Sequence, residues 1–221
     1  MALSISQLSE RLGVSPNRAR NLVAHGVIKG ERVGNQWVVE EAEAAKYQPR
    51  MGRPLSAVNA WRLALYSSGD QIPDAHPMER SRLREHLASL RQASDPAAKL
   101  CSLLARRADK VEYSVSPADL ADLRDDPRIR LSGVSHPDSG LLSNSEIEGY
   151  VNREDLDSLV REWFLVKARP GQRPNVLLHV AEDLPHSLPA LFIAADLAER
   201  AGVRERQAAR DLIVRSVLHA G

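Results

Sequence analysis

Ser4-Ile5-Ser6-Gln7-Leu8-Ser9-Glu10-Arg11-Leu12-Gly13-Val14-Ser15-Pro16-Asn17-Arg18-Ala19-Arg20-Asn21-Leu22-Val23-Ala24-His25-Gly26 decides how the start of this chain folds. Ile5, Leu8 and Leu12 recur at i, i+3 and i+7, the apolar stripe of a short helix, and Gly13 stops it. Ser15 is a good N-cap, and Pro16 suits the first helical position, where its missing N–H would have had no partner. Gly26 supplies a left-handed stop, so a second helix is predicted from Pro16 to His25. Its buried stripe is Ala19, Leu22 and Val23, which turns Asn17, Arg18, Arg20, Asn21 and His25 outward.

Beyond Gly26 the pattern changes to strand, with Val27-Ile28-Lys29 and Arg32-Val33, then Gly34-Asn35, then Gln36-Trp37-Val38-Val39. A Gly-Asn pair between two β-rich runs predicts a hairpin. A third helix is expected from Glu40 to Tyr47, with Trp37 packed under the helices. Two helices joined by a tight turn, the second studded with Arg and Asn, match what a DNA major groove admits. Arg pairs with guanine and Asn with adenine, and further basic groups hold phosphates.

The stretch Leu3–Tyr47 resembles the helix-turn-helix of the MerR and phage-excisionase superfamily. The resemblance is carried by Ile5 to Ser15, the His25-Gly26-Val27-Ile28 exit, the Arg32-Val33-Gly34-Asn35-Gln36-Trp37 hairpin and the acidic start of the third helix. It implies a winged helix-turn-helix that uses Arg18, Arg20, Asn21 and Arg32 on double-stranded DNA. Residue chemistry adds Ser15, Asn17, His25, Lys29 and Asn35, and the linker adds Arg50 and Arg53. The alternative keeps the same fold as a protein-interaction module with solvated arginines.

The 221 residues can bury a core, and 43% of them are hydrophobic. No apolar run reaches membrane-spanning length and no signal-peptide pattern opens the chain, so a cytoplasmic protein is expected. Cys101 is the only cysteine, which excludes an internal disulfide and leaves no support for a structural zinc site. No cofactor or metal is expected. The net charge of +1 conceals an asymmetry: residues 1–110 carry 17 Lys/Arg against 11 Asp/Glu, while 111–221 carry 13 against 18. A basic front suits a polyanion, and an acidic rear repels one.

Three parts are expected: a winged helix-turn-helix over 1–48, a basic linker and helical connector over 49–109, and an α+β partner-binding domain over 110–221. In the linker, Gly52-Arg53-Pro54 has the composition of a minor-groove hook, but Met51 stands where a hook carries an arginine before the glycine, which favours a plain basic linker. Helices are predicted from Ser56 through Leu65, over Met78–Leu90 and over Pro96–Arg107. Strands follow at Val111–Val115, Ile129–Leu131, Glu146–Val151 and Asn175–Val180. Between them lie a helix opened by Ser116-Pro117 and one capped by Asn152, and two terminal helices run over Pro189–Ala201 and Arg204–His219. The mixture predicts an α+β class overall.

His136, His179, His186 and His219 show no metal-ligand spacing, and Ser132 to Gly140 reads as a turn rather than a catalytic cluster. His179, alone on a strand, is expected to be a core residue, and no enzymatic activity is expected. The layout of a helix-turn-helix, the Gly52-Arg53-Pro54-Leu55-Ser56-Ala57 joint and an α/β rear is similar to actinobacterial antitoxins of the AbiE type and of PIN-domain toxins. That likeness implies a repressor of its own operon that also neutralises a toxin protein, acting as a homodimer or hetero-oligomer. Two rivals remain, a one-component MerR-type regulator whose rear domain binds a small ligand and an enzyme with a tethered DNA-binding domain.

Overall fold

The computed structural model describes residues 2–12, 14–34, 36–47, 53–70, 72, 74–141, 143–168 and 173–218. Gly13, predicted to stop the first helix, Gly52 of the hook-like linker and His219 at the predicted end of the last helix lie outside them. The chain is a mixed α+β protein of two compact units, Met1–Arg50 and Met51–Gly221. No helix among the described residues is long and apolar enough to cross a membrane.

The first unit runs β1 (Ala2–Ser4), α1 (Ile5–Leu12), α2 (Pro16–Ala24), β2 (Glu31–Val33), β3 (Gln36–Glu40) and α3 (Glu41–Lys46). The strands form an antiparallel sheet in the order β1-β3-β2, with Leu3 opposite Val39 and Arg32 opposite Trp37. Leu3, Leu8, Ala19, Leu22, Val23, Ile28, Val39 and Ala44 make the core, with Trp37 half-buried against it. Ser15 caps α2 through its hydroxyl, which accepts from Arg18 N at 3.3 Å, and Pro16 follows at the first position. Gly26 leaves the helix at φ +71°, a conformation that costs glycine little.

Val27-Ile28-Lys29 is not the strand that its composition predicts. The N–H groups of Val27 and Ile28 both turn back to Leu22 O, so these residues close off α2, and Ile28 plugs the core. β1 was not anticipated, since three residues carry too little alternation to be read.

The second unit begins with three helices, α4 (Ala57–Ser67), α5 (Pro77–Arg91) and α6 (Pro96–Leu103). It continues through β4 (Asp109–Ser114), α7 (Leu120–Arg124), β5 (Arg130–Leu131), 3-10 turns at Gly133–Ser135 and Pro137–Ser139, and β6 (Ile147–Asn152). It ends with α8 (Arg153–Glu162), β7 (Val166–Lys167), β8 (Val176–Ala181), α9 (Ala190–Ala198) and α10 (Val203–Leu218). The sheet order is β5-β6-β8-β4-β7, in which only the central β6–β8 pair is parallel.

Alternation gives this sheet two different faces. Tyr113, Ile147, Val151, Val176, Leu178 and Val180 pack with Leu120 and Leu123 of α7 and Leu159 of α8. The opposite face carries Glu148, Tyr150 and His179, and Tyr150 joins a larger core built from α4, α5, α6, α9 and α10. Where the sequence separates 49–109 from the residues that follow, the structure packs α4 to α6 into one core with α9 and α10. α9 is apolar on nearly every side because it is buried on nearly every side.

Two local features of this unit carry consequences. Asn152 stands at the N-cap of α8 as read from sequence, yet its side chain does not cap the helix; Asn152 Oδ1 accepts from Leu184 N at 2.9 Å and pins the chain leaving β8. On the apolar side, Asp126 accepts from Arg128 N, Nε and Nη2 and from Trp163 Nε1, and Arg128 also reaches Ser158 and Glu162 of α8. The Arg128 hydrogen bonds hold the Asp126 carboxyl down at about 2.

A folded-state pKa below the unfolded value of about 3.9 means that Asp126 stabilises the fold above that pH, and that the contribution is lost as pH falls from about 4 towards 2. The urea midpoint of the wild type therefore drops over this window, and Asp126→Asn shows a shallower drop. Phe164, just beyond α8, sits at φ +50° and is 85% exposed. Phe164→Gly removes left-handed strain without opening the core, so equilibrium unfolding is expected to show stability held or raised by up to about 1 kcal/mol.

Candidate nucleic-acid interface

α2 carries the side chains that the sequence singles out for DNA. Ala19, Leu22 and Val23 are buried, which leaves Asn17, Arg18, Arg20, Asn21 and Ala24 exposed along the other side of the helix. Ser15 is exposed as well, but its hydroxyl is engaged by the cap. His25 is exposed at the C-cap, and its Nδ1 lies 2.8 Å from Asn21 O. Lys29 and Arg32 are exposed on the approach to the β2–β3 hairpin and on β2 itself. The hairpin register pairs Val33 with Gln36 across Gly34, whose φ is +61°. Asn35 and Arg50 lie outside the described residues, and Arg53, also exposed, belongs to the second unit.

Charge is arranged around α2 rather than spread evenly. Residues 1–50 carry seven Lys/Arg against five Asp/Glu, so most of the basic excess of the front half falls in 51–110. α2 itself contains no acidic residue. The five acids lie on α1, β2, β3 and α3, where Arg11 holds Glu41 in an ion pair and its hydrogen bond lowers the Glu41 pKa. A groove-binding role depends on this local separation of charge, not on the net value.

The second unit holds a buried polar cluster that the sequence did not reveal. Arg107 donates from Nε to Tyr150 OH at 2.7 Å and from Nη1 to Leu104 O and Glu199, and Nη2 pairs with Asp196. Ser132 donates to the other Asp196 oxygen. His179 lies flat against Tyr150, with Nε2 3.2 Å from Glu148 Oε1 and 3.3 Å from Asp196 Oδ1. Arg200 closes the cluster with two hydrogen bonds to Glu148 and one to Glu146. Gly133, at φ +51°, sits against the Glu148 carboxylate where a Cβ would collide with it. Burial opposes the charge of Arg107, but the Asp196 carboxylate outweighs it and raises the guanidinium pKa. Burial likewise opposes the charge of Asp196, and Arg107, His179 and Ser132 together bring its pKa below the ordinary value.

This cluster contains a serine, a histidine and an aspartate, but not in a nucleophilic arrangement. The Ser132 hydroxyl faces the carboxylate instead of the imidazole, and Ser132, His179 and Asp196 are all buried. Glu148, His179 and Asp196 also offer three donor atoms within 4.8 Å of one another. Each carboxylate there already holds a guanidinium, the arrangement of a structural ion-pair network. Ser135, read from sequence as part of a turn, accepts from Glu148 N at 2.9 Å, and His136 Nδ1 accepts from Asp138 N. One signal was available: Glu148 and Tyr150 break the apolar run of β6, and His179 breaks that of β8 directly opposite Tyr150. Asp196, alone in the apolar run from Leu191 to Ala198, breaks a helix in the same way.

No protein-family model, no curated protein and no solved structure matches this chain.

Removing one member of the network leaves its partners charged and buried. Asp196→Ala is expected to lower the unfolding free energy of the second unit by about 3–5 kcal/mol, read by urea titration, whereas Asp138→Ala, exposed on a turn, changes it by less than about 0.5 kcal/mol.

Proposed function

We propose that residues 1–50 are a winged helix-turn-helix that binds double-stranded DNA, and that the chain is a transcriptional repressor. The observation that carries this reading is α2: a capped helix anchored by Ala19, Leu22 and Val23 that presents Asn17, Arg18, Arg20 and Asn21 to solvent with no acid among them. In this reading the N-terminal half of α2 reads base edges in the major groove, and the β2–β3 hairpin is the wing, with Lys29 and Arg32 near the phosphates. One module of this size buries too little surface for tight binding, which favours a dimer on two half-sites. The resemblance to antitoxins extends the proposal to the second unit, whose residues 111–221 carry the acidic excess and which in that role neutralises a toxin protein; co-purification with the product of the adjoining reading frame tests this part.

Fluorescence anisotropy with duplex DNA from the promoter of the chain's own gene tests the DNA-binding part. Arg18→Ala and Arg20→Ala are each expected to weaken binding by about tenfold or more and to flatten the dependence of log K on log salt by roughly one unit for each phosphate left unneutralised. Arg215→Ala, exposed on α10, is expected to leave both unchanged. A wild-type protein that shows no salt-sensitive binding, or Arg18 and Arg20 variants that bind like the wild type, would falsify the reading.

A further inference from the structure

We propose that a cavity in the second unit, beside the carboxyl ends of β6 and β8, binds a small, largely apolar or aromatic molecule carrying a single carboxylate, which Arg106 receives. The cavity measures about 450 Å³, within the usual range for small-molecule sites of about 300–1,000 Å³. Val58, Trp61 and Leu65 of α4 form one wall, spaced so that they share a helix face, while Ala181 at the end of β8 and Pro185 beyond it line another part. In open, mostly parallel α/β sheets ligands recur at the carboxyl ends of the strands, and here β6 and β8 are the one parallel pair among the described strands of a mixed sheet.

The apolar wall is preformed. Trp61 Nε1 donates to Arg107 O at 3.1 Å, and the indole stands edge-on to Phe192 with ring centroids 4.3 Å apart. Val58, on the same wall, leaves 61% of its surface in water, so an apolar ligand would bury surface that the fold leaves open. The rim supplies the charge. Arg62 is taken up by Glu79, Arg153 by Asp109 and Glu182, and Arg107 by Asp196 and Glu199. Arg106 lines the same cavity, is exposed, and has no hydrogen bond or ion pair among the described residues. Asp183, also at the rim, disfavours a second negative charge, which makes a monocarboxylate a better fit than a phosphate.

The proposal does not depend on DNA binding, and its test contains no DNA. The full-length chain, labelled with nitrogen-15, is titrated with 3-phenylpropionate and with its neutral amide while the Trp61 indole N–H signal is followed, assigned by its loss in Trp61→Phe. The carboxylate is expected to shift this signal saturably at millimolar or lower concentration, with the amide about tenfold weaker or more. Arg106→Ala should bring the carboxylate down to the level of the amide, and Leu65→Trp, which fills the cavity, should abolish both responses. The proposal is overturned by the absence of a saturable shift with either compound, by equal binding of the two, by a carboxylate preference that survives in Arg106→Ala, or by binding that survives in Leu65→Trp.

Discussion

A guanidinium with 1% of its surface exposed stays inside a protein only if carboxylates meet it there, and the second unit is organised around that demand at Arg107. Arg107 follows α6, Tyr150 comes from β6, and Asp196 comes from α9, so their hydrogen bonds tie three elements distant in sequence. Ser132 and His179 converge on the same aspartate, one from the turn after β5 and the other from β8. The position of α9 on the sheet follows from these bonds together with the apolar side chains around Asp196. An apolar helix alone could slide or rotate on an apolar surface, whereas a buried carboxylate has few places where its oxygens are satisfied.

The two faces of the sheet divide the work accordingly. The side covered by α7 and α8 is apolar throughout and is trimmed at its edge by the Asp126–Arg128–Trp163 group. The side facing α9 mixes Tyr150 and Phe192 with Glu148, His179 and Asp196, and fits them closely enough that a residue with a Cβ in place of Gly133 would strike Glu148. The serine, histidine and acids collected there are buried, and both carboxylates are ion-paired to guanidinium groups. The first unit is built differently. Its core rests on eight buried side chains, four of them from α2 and the turn that ends it, and the solvent side of that helix is left free of structural duty.

Much of this organisation was legible in the sequence, and the reasons are local. The α2 boundaries followed from Ser15, Pro16 and Gly26, because caps and left-handed stops act through bonds between neighbours. Its buried stripe of Ala19, Leu22 and Val23 followed from periodicity, as did the strands at β4, β6 and β8 and the terminal helices. Reading failed where a distant partner took over. Val27 and Ile28 have strand composition but bond back to Leu22, and the Asn152 side chain serves Leu184 instead of its own helix. β7 has two residues and exists only because β4 lies beside it.

By itself, then, the sequence determined the α+β class, most helix and strand positions, the exposed Asn and Arg face of α2 and the charge difference between front and rear, all of which depend on residue type and short-range spacing. The tertiary structure alone decided that α4 to α6 share a core with α9 and α10, that Glu148, Tyr150, His179 and Asp196 meet Arg107, and that Arg106 lines a cavity with Trp61. Those outcomes rest on which surfaces come together across tens of residues, and a buried charge reveals its partner only when the chain has folded around both.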